Sequence, residues 1–86
     1  MNSMKQLQSK VKEARQSLGD RIMNRQGKRK AQGEAETIFN ELNLKYSKGI
    51  RDDYTIYYLS MSGCNGSVSL AIEYNSRGKV TNTTIY

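Results

Sequence analysis

The stretch SVSLAIEYNSRGKVTNTTIY, residues 67–86, decides the fold class. Val68, Leu70, Ile72 and Tyr74 alternate with Ser67, Ser69, Ala71 and Glu73, which is the two-residue period of a strand with one face buried. Asn75-Ser76-Arg77-Gly78 suits a type I turn closed by a left-handed glycine, and Lys79 to Ile85 returns as a second strand. With Asn75 opposite Lys79, a regular hairpin sets Tyr74 against Val80, Ile72 against Asn82 and Leu70 against Thr84. Upstream, Tyr54 to Met61 reads as a third strand, and Ser62-Gly63-Cys64-Asn65-Gly66 closes its hairpin. Tyr54, Ile56 and Tyr58 fall on one of its faces and Tyr57, Leu59 and Met61 on the other.

An antiparallel sheet with one apolar face needs a cover. Ala35, Ile38, Phe39 and Leu42, spaced i, i+3, i+4 and i+7, predict a helix over about Glu34 to Asn43 that packs on Val68, Leu70 and Ile72. Leu44 to Asp53 reads as a connector. Asn24 to Gly33 (NRQGKRKAQG) shows no apolar period and holds two glycines, so it reads as a hinge. Ahead of it, Ser3 and Gln6 have capping-box spacing, and Met4, Leu7, Val11, Ala14, Leu18 and Ile22 make a stripe about 80° wide, nearer a coiled-coil seam than a core-facing helix.

The expected fold is therefore α+β, in the order α-α-β-β-β. Residues 1–33 form a basic helical arm with hinge, and residues 34–86 form a small sheet domain that folds from about Gly33 onward. Tyr57, Leu59 and Met61 are expected on the outer sheet face beside Ala71 and Ile85. Such a patch calls for a cover: a partner or second copy centred on Leu59, in preference to the arm folded back.

Charge is segregated along the chain. Residues 1–34 hold Lys5, Lys10, Lys12, Arg15, Arg21, Arg25, Lys28, Arg29 and Lys30 against Glu13, Asp20 and Glu34, whereas residues 35–86 hold five cations and five acids. The whole formal charge of +6 thus lies in the first part. Solubility alone does not require such segregation, so the arm is expected to meet a polyanion. Lys10, Lys12, Arg15, Arg21, Arg25, Lys28, Arg29 and Lys30 are the candidate contacts. Leu7, Val11, Leu18 and Ile22 of the seam, with Tyr57, Leu59 and Met61, are the candidate protein interface.

Catalysis is hard to assemble from these residues. There is no histidine, the single Cys64 has no local base, and Asp52-Asp53 are a lone pair of carboxylates that more simply flank a strand. No phosphate-binding glycine loop is present, so no enzyme activity, metal, cofactor or small-molecule substrate is expected. Cys64 reads as a turn residue before a reactive one. Tyr54, Tyr57, Tyr58 and Tyr74 invite a base-stacking surface, but tyrosines are ordinary strand formers, and no Lys or Arg lies within the two strands that carry them. No apolar run approaches the roughly 20 residues of a membrane span, and a cytoplasmic location is expected.

The layout of a basic arm over Asn24 to Lys30, a helix over Glu34 to Asn43 and a sheet over Tyr54 to Tyr86 resembles small phage-encoded inhibitors of bacterial immunity such as the anti-CRISPR proteins. The resemblance implies stoichiometric binding to a nuclease or its guide complex. Most of those inhibitors are acidic DNA mimics, whereas this chain is basic. The functional expectation is a non-catalytic binding protein whose arm engages nucleic acid or a nucleoprotein complex. The alternative is a protein-binding inhibitor or a homodimer that uses the helix seam and the outer sheet face.

Overall fold

The computed structural model describes residues 4–21, 28–77 and 79–86, with the side chains of residues 19–21 and 28–31 left aside. Ile22 and Arg25 lie outside the described residues. Two helices, α1 (Met4–Arg21) and α2 (Lys28–Glu41), precede four strands, β1 (Lys45–Ile50), β2 (Tyr54–Ser60), β3 (Val68–Tyr74) and β4 (Val80–Ile85). The strands form one antiparallel sheet in the order β1-β2-β3-β4. The fold is α+β, with four strands rather than three.

The additional strand, β1, lies in the segment that reads as a connector. Its residues Lys-Tyr-Ser-Lys-Gly-Ile put polar groups on both faces, as an edge strand can, so its alternation is weak. Helix α2 begins six residues before the expected Glu34. Its first two turns carry no apolar stripe; Gly33 faces outward, where a Cβ would meet nothing within 4 Å, while Gln32 beside it bonds to Thr55 of the sheet. The end of α2 has an identifiable cause. Asn43 is left-handed (φ 58°), Leu44 N–H donates to the Phe39 carbonyl (2.9 Å) and Asn43 N–H to the Asn40 carbonyl (3.1 Å), which is a Schellman closure with Leu44 folded into the core.

Register corrects the assignment of faces. Tyr57 pairs with Leu70, Leu59 with Val68 and Thr55 with Ile72, so Tyr57 and Leu59 share the apolar face of β3 instead of opposing it. Tyr57 and Leu59 are fully buried, and Met61 is nearly so. The inner face is therefore four strands wide, roughly 19 Å at 4.8 Å per strand, and a helix about 10 Å across cannot cover it alone. Helix α1 supplies the rest. Leu7, Val11, Ala14 and Leu18 are completely buried and belong to the same hydrophobic cluster as Ala35, Ile38, Phe39, Tyr57, Leu59, Leu70 and Ile72.

A single core thus spans the expected boundary at residues 33 and 34. The candidate interface residues Leu7, Val11, Leu18, Tyr57, Leu59 and Met61 are interior ones. Of the cations that border the seam, Lys5, Lys12 and Arg15 are exposed. Phe39 sits at the centre of the α2 contact, with its ring 4.9 Å from Tyr57 in edge-to-face geometry and 5.8 Å from Tyr46.

The β3–β4 hairpin departs from regular register by one residue. Asn75 closes the turn, with its side chain accepting from Arg77 N–H (2.9 Å) and Lys79 N–H (3.0 Å), and Tyr74 pairs with Val80 as expected. Glu73 then pairs with Asn82, which leaves Thr81 as an extra residue and places Thr83 opposite Ile72 and Ile85 opposite Leu70. This bulge turns Ile85 toward the core.

Candidate nucleic-acid interface

The candidate cations divide according to the element that carries them. At 3.6 residues per turn, Lys5, Lys12 and Arg15 fall within about 80° of one another on the flank of α1 away from α2. All three are exposed, and none makes an ion pair among the described residues. Lys10 lies on the opposite flank, where its ammonium donates to the Leu42 carbonyl at 2.9 Å. There it caps the C-terminal end of α2, where a cation complements the helix dipole, and it is removed from the outward surface. Arg21 ends α1, and Lys28, Arg29 and Lys30 form the first turn of α2.

The direction of α2 fixes where that first turn lies. Gln32 Nε2 donates to the Thr55 hydroxyl (2.9 Å), and one turn later the Tyr57 hydroxyl donates to Glu36 (3.1 Å), so α2 runs alongside β2 in the same sense. Its N-terminal end therefore meets the end of the sheet that carries the β1–β2 and β3–β4 turns. Those turns contribute Arg51, Arg77 and Lys79, all exposed, with Asp52 and Asp53 against them. No acid occupies the first turn of either helix. Helix N-termini carry a partial positive charge that acids normally offset, and here cations add to it. Six cations, Lys28, Arg29, Lys30, Arg51, Arg77 and Lys79, thus belong to the first turn of α2 and to two turns at the same end of the sheet, with Asp52 and Asp53 beside Arg51. Arg51, Arg77 and Lys79 escape a tally along the sequence because residues 35–86 are neutral in sum.

Beneath that end, Glu36 organises a polar cluster. Its carboxylate accepts from Lys48 Nζ (2.9 Å), the Tyr46 hydroxyl (3.1 Å) and the Tyr57 hydroxyl (3.1 Å). Burial pushes Glu36 up, but these three hydrogen bonds and the Lys48 charge outweigh it and hold the carboxyl below its ordinary range. Tyr57 is driven upward by burial, then by neighbouring Tyr74 and Glu36, and Tyr74 is driven upward by burial and Glu36. Both phenols stay neutral. The cluster consumes Glu36 and Lys48 internally, and neither is left to act on a ligand.

Among the described residues, no helix or strand covers the sheet face opposite the helices. Tyr54, Ile56 and Tyr58 of β2, Ser69, Ala71 and Glu73 of β3 and Thr84 of β4 lie on it. A recess of about 200 Å³ there is lined by Tyr54, Ala71, Glu73, Thr84 and Tyr86. A second hollow, about 500 Å³, lies between α1, the end of α2 and the β2–β3 loop, lined by polar Gln6, Ser9, Lys10, Glu13, Asn43 and Ser62 with Met61.

Of the tyrosines that suggest stacking, Tyr54 and Tyr58 are on the open face, while Tyr57 and Tyr74 face the core; Tyr86 joins the first two. Cys64 is half-buried with its sulfur 3.6 Å from that of Met4. Among the described residues, no three His, Cys, Asp or Glu side chains converge on a metal position, and no helix is long and apolar enough to cross a membrane. No protein-family model, curated protein or solved structure matches the chain.

Proposed function

We propose that the chain is a non-catalytic nucleic-acid-binding protein that holds the phosphate backbone at its basic end. The observation that carries this reading is the first turn of α2. Three successive cations, Lys28, Arg29 and Lys30, stand at the positive end of a helix dipole, with no acid among them and Arg51, Arg77 and Lys79 at the same end of the sheet. For the chain by itself this arrangement is unfavourable by a few tenths of a kcal/mol per charge. A polyanion reverses the sign, because phosphate oxygens accept from both the cations and the first N–H groups of the helix, which have no partner within it. Lys12 and Arg15 extend the positive surface along α1. Contacts of this kind position a nucleic acid without reading its sequence. The alternative of a protein groove receiving the α1 seam loses its anchor, since Leu7, Val11 and Leu18 are inside the core.

Replacing Lys28, Arg29 and Lys30 together by Ala tests the proposal. In mobility-shift titrations at several salt concentrations, affinity should fall for every sequence alike, and the log–log salt slope should flatten by about 2 to 3, the loss of three phosphate contacts. A thermal melt of the variant beside the parent separates a loss of phosphate contacts from a loss of folded protein. Unchanged affinity and slope would refute the assignment.

A further inference from the structure

We infer that the open face of the sheet is a stacking platform for unpaired bases, with one base seated in the recess over Ala71 against Tyr54 and Tyr86. This deepens the nucleic-acid reading and rests on it, because it specifies that the bound form is single-stranded. Ala71 is the central position of the face, paired with Ile56 on one side and Thr84 on the other, and its small side chain leaves the depression that the larger neighbours surround. Tyr54 lies level with Glu73, and Tyr86 donates its backbone N–H to the Ser69 carbonyl (2.9 Å), so the two rings stand at diagonal corners of the recess. At about 200 Å³ the recess is smaller than a drug-sized pocket, which leaves room for a single planar ring system.

The chemistry around the recess favours a base over other occupants. Tyr58 is 40% exposed and Tyr86 76% exposed, so aromatic faces are free for stacking, which tolerates any base. Glu73 accepts from Asn82 Nδ2 at 2.7 Å, and its carboxylate keeps lone pairs for the N–H edge of a base while repelling phosphate from the recess itself. The phosphates have their own place.

Strand β1 supplies the cations whose absence weighs against stacking when the sheet is read as three strands. Lys45 lies on the open face opposite Ser60. Arg51 folds back over Gly49, where an added Cβ would come within 3.2 Å of both Arg51 Nη1 and Ile56 Cγ2, so its guanidinium lies beside Ile56 on that same face. Tyr54 begins β2 at the end of the sheet where α2 starts, and Arg51 belongs to the β1–β2 turn just ahead of it. A strand held at the basic end therefore meets Tyr54 first as it turns onto the open face.

Fluorescence anisotropy with a labelled single-stranded oligonucleotide, and with a duplex of equal length, tests the inference on four chains: the parent, Tyr54→Ala/Tyr86→Ala, Tyr54→Phe/Tyr86→Phe and the triple Lys28, Arg29, Lys30 alanine variant. The parent should prefer the single strand. The tyrosine-to-alanine variant should lose about tenfold or more of that affinity with an unaltered salt slope and an unaltered melt, and the phenylalanine variant should keep it. Because the chain contains no tryptophan, its tyrosine emission is directly visible, and the single strand should quench it in the parent but far less in the alanine variant.

Full single-strand affinity in Tyr54→Ala/Tyr86→Ala, with loss in the lysine–arginine variant, overturns stacking and leaves phosphate binding standing. No binding of either nucleic acid by the parent overturns both. A parent dimer that Tyr58→Ala converts to monomer gives the face to a second copy and overturns the inference.

Discussion

Leu7 and Leu18 lie eleven residues apart on α1, about 16 Å at 1.5 Å per residue, and both are completely buried. Truncating either to Ala should cost about 2–5 kcal/mol, the range for a large-to-small change that leaves a cavity. At that separation the two losses should add, giving about 4–10 kcal/mol for Leu7→Ala/Leu18→Ala. A chain of 86 residues has roughly 4–13 kcal/mol in all. The double variant should therefore be largely unfolded at room temperature. Either single variant, taken at about 3 kcal/mol, should melt roughly 12–24 °C below the parent.

The decisive assay follows far-ultraviolet circular dichroism, which reports the helices, together with the near-ultraviolet tyrosine signal, which reports the packed tyrosines of the sheet, among them Tyr46 and Tyr57 on Phe39. Coincident transitions that move down together mean that α1 and the sheet share one cooperative core. An early loss of helix signal, with the tyrosine transition still at the parent's midpoint, would refute this reasoning and restore α1 to the status of an independent arm.

Three further outcomes follow from local geometry. Asn43→Gly should leave stability within a few tenths of a kcal/mol of the parent in urea titrations, whereas Asn43→Val should cost about 1–2 kcal/mol, because position 43 is left-handed and a β-branched residue resists that conformation. Lys10→Met should lower stability by about 1 kcal/mol in the same titration, since it removes the ammonium from the Leu42 carbonyl at a half-exposed helix end; no change would show that water replaces the cap. Because Glu36 titrates below its ordinary range when folded, its contribution is complete above the unfolded carboxyl pKa and is lost as pH falls through the folded value. The gap in urea midpoint between the parent and Glu36→Gln should accordingly be widest near neutrality and close on acidification, and a gap that does not vary with pH would contradict the Lys48–Glu36–tyrosine cluster.

The parts of this fold legible in the sequence were those whose partners are local. The alternation of Val68 to Tyr74, the turn at Asn75 and the spacing of Ile38, Phe39 and Leu42 each carry their own signal, and each matches an element of the structure. Strand β1 carries almost none, because an edge strand needs only Tyr46 against the core and can spend its other positions on Lys45, Ser47 and Lys48. The sidedness of Tyr57 and Leu59 was not readable either. Both faces of β2 bear large side chains, and only pairing with β3 says which one is inside. The proposed interface divides in the same way: Lys28, Arg29 and Lys30 stand out as a run, while Arg51, Arg77 and Lys79 join them only because the two turns lie at the end of the sheet from which α2 starts.

The extra residue at Thr81 behaves like a frameshift written into the hairpin. Up to Tyr74 and Val80, the pair reads in the frame that the turn sets; beyond the bulge, every side chain of β4 is read in the other. In the original frame Asn82 and Thr84 would point at the helices, and Ile85 would point at solvent. Shifted by one, Thr83 and Ile85 go inward, Asn82 reaches Glu73, and Thr84 is delivered to the rim of the open-face recess. One inserted residue thus edits both surfaces of the sheet at once, so that any insertion or deletion between Lys79 and Asn82 changes the helix-facing core and the tyrosine-bearing face as a single event.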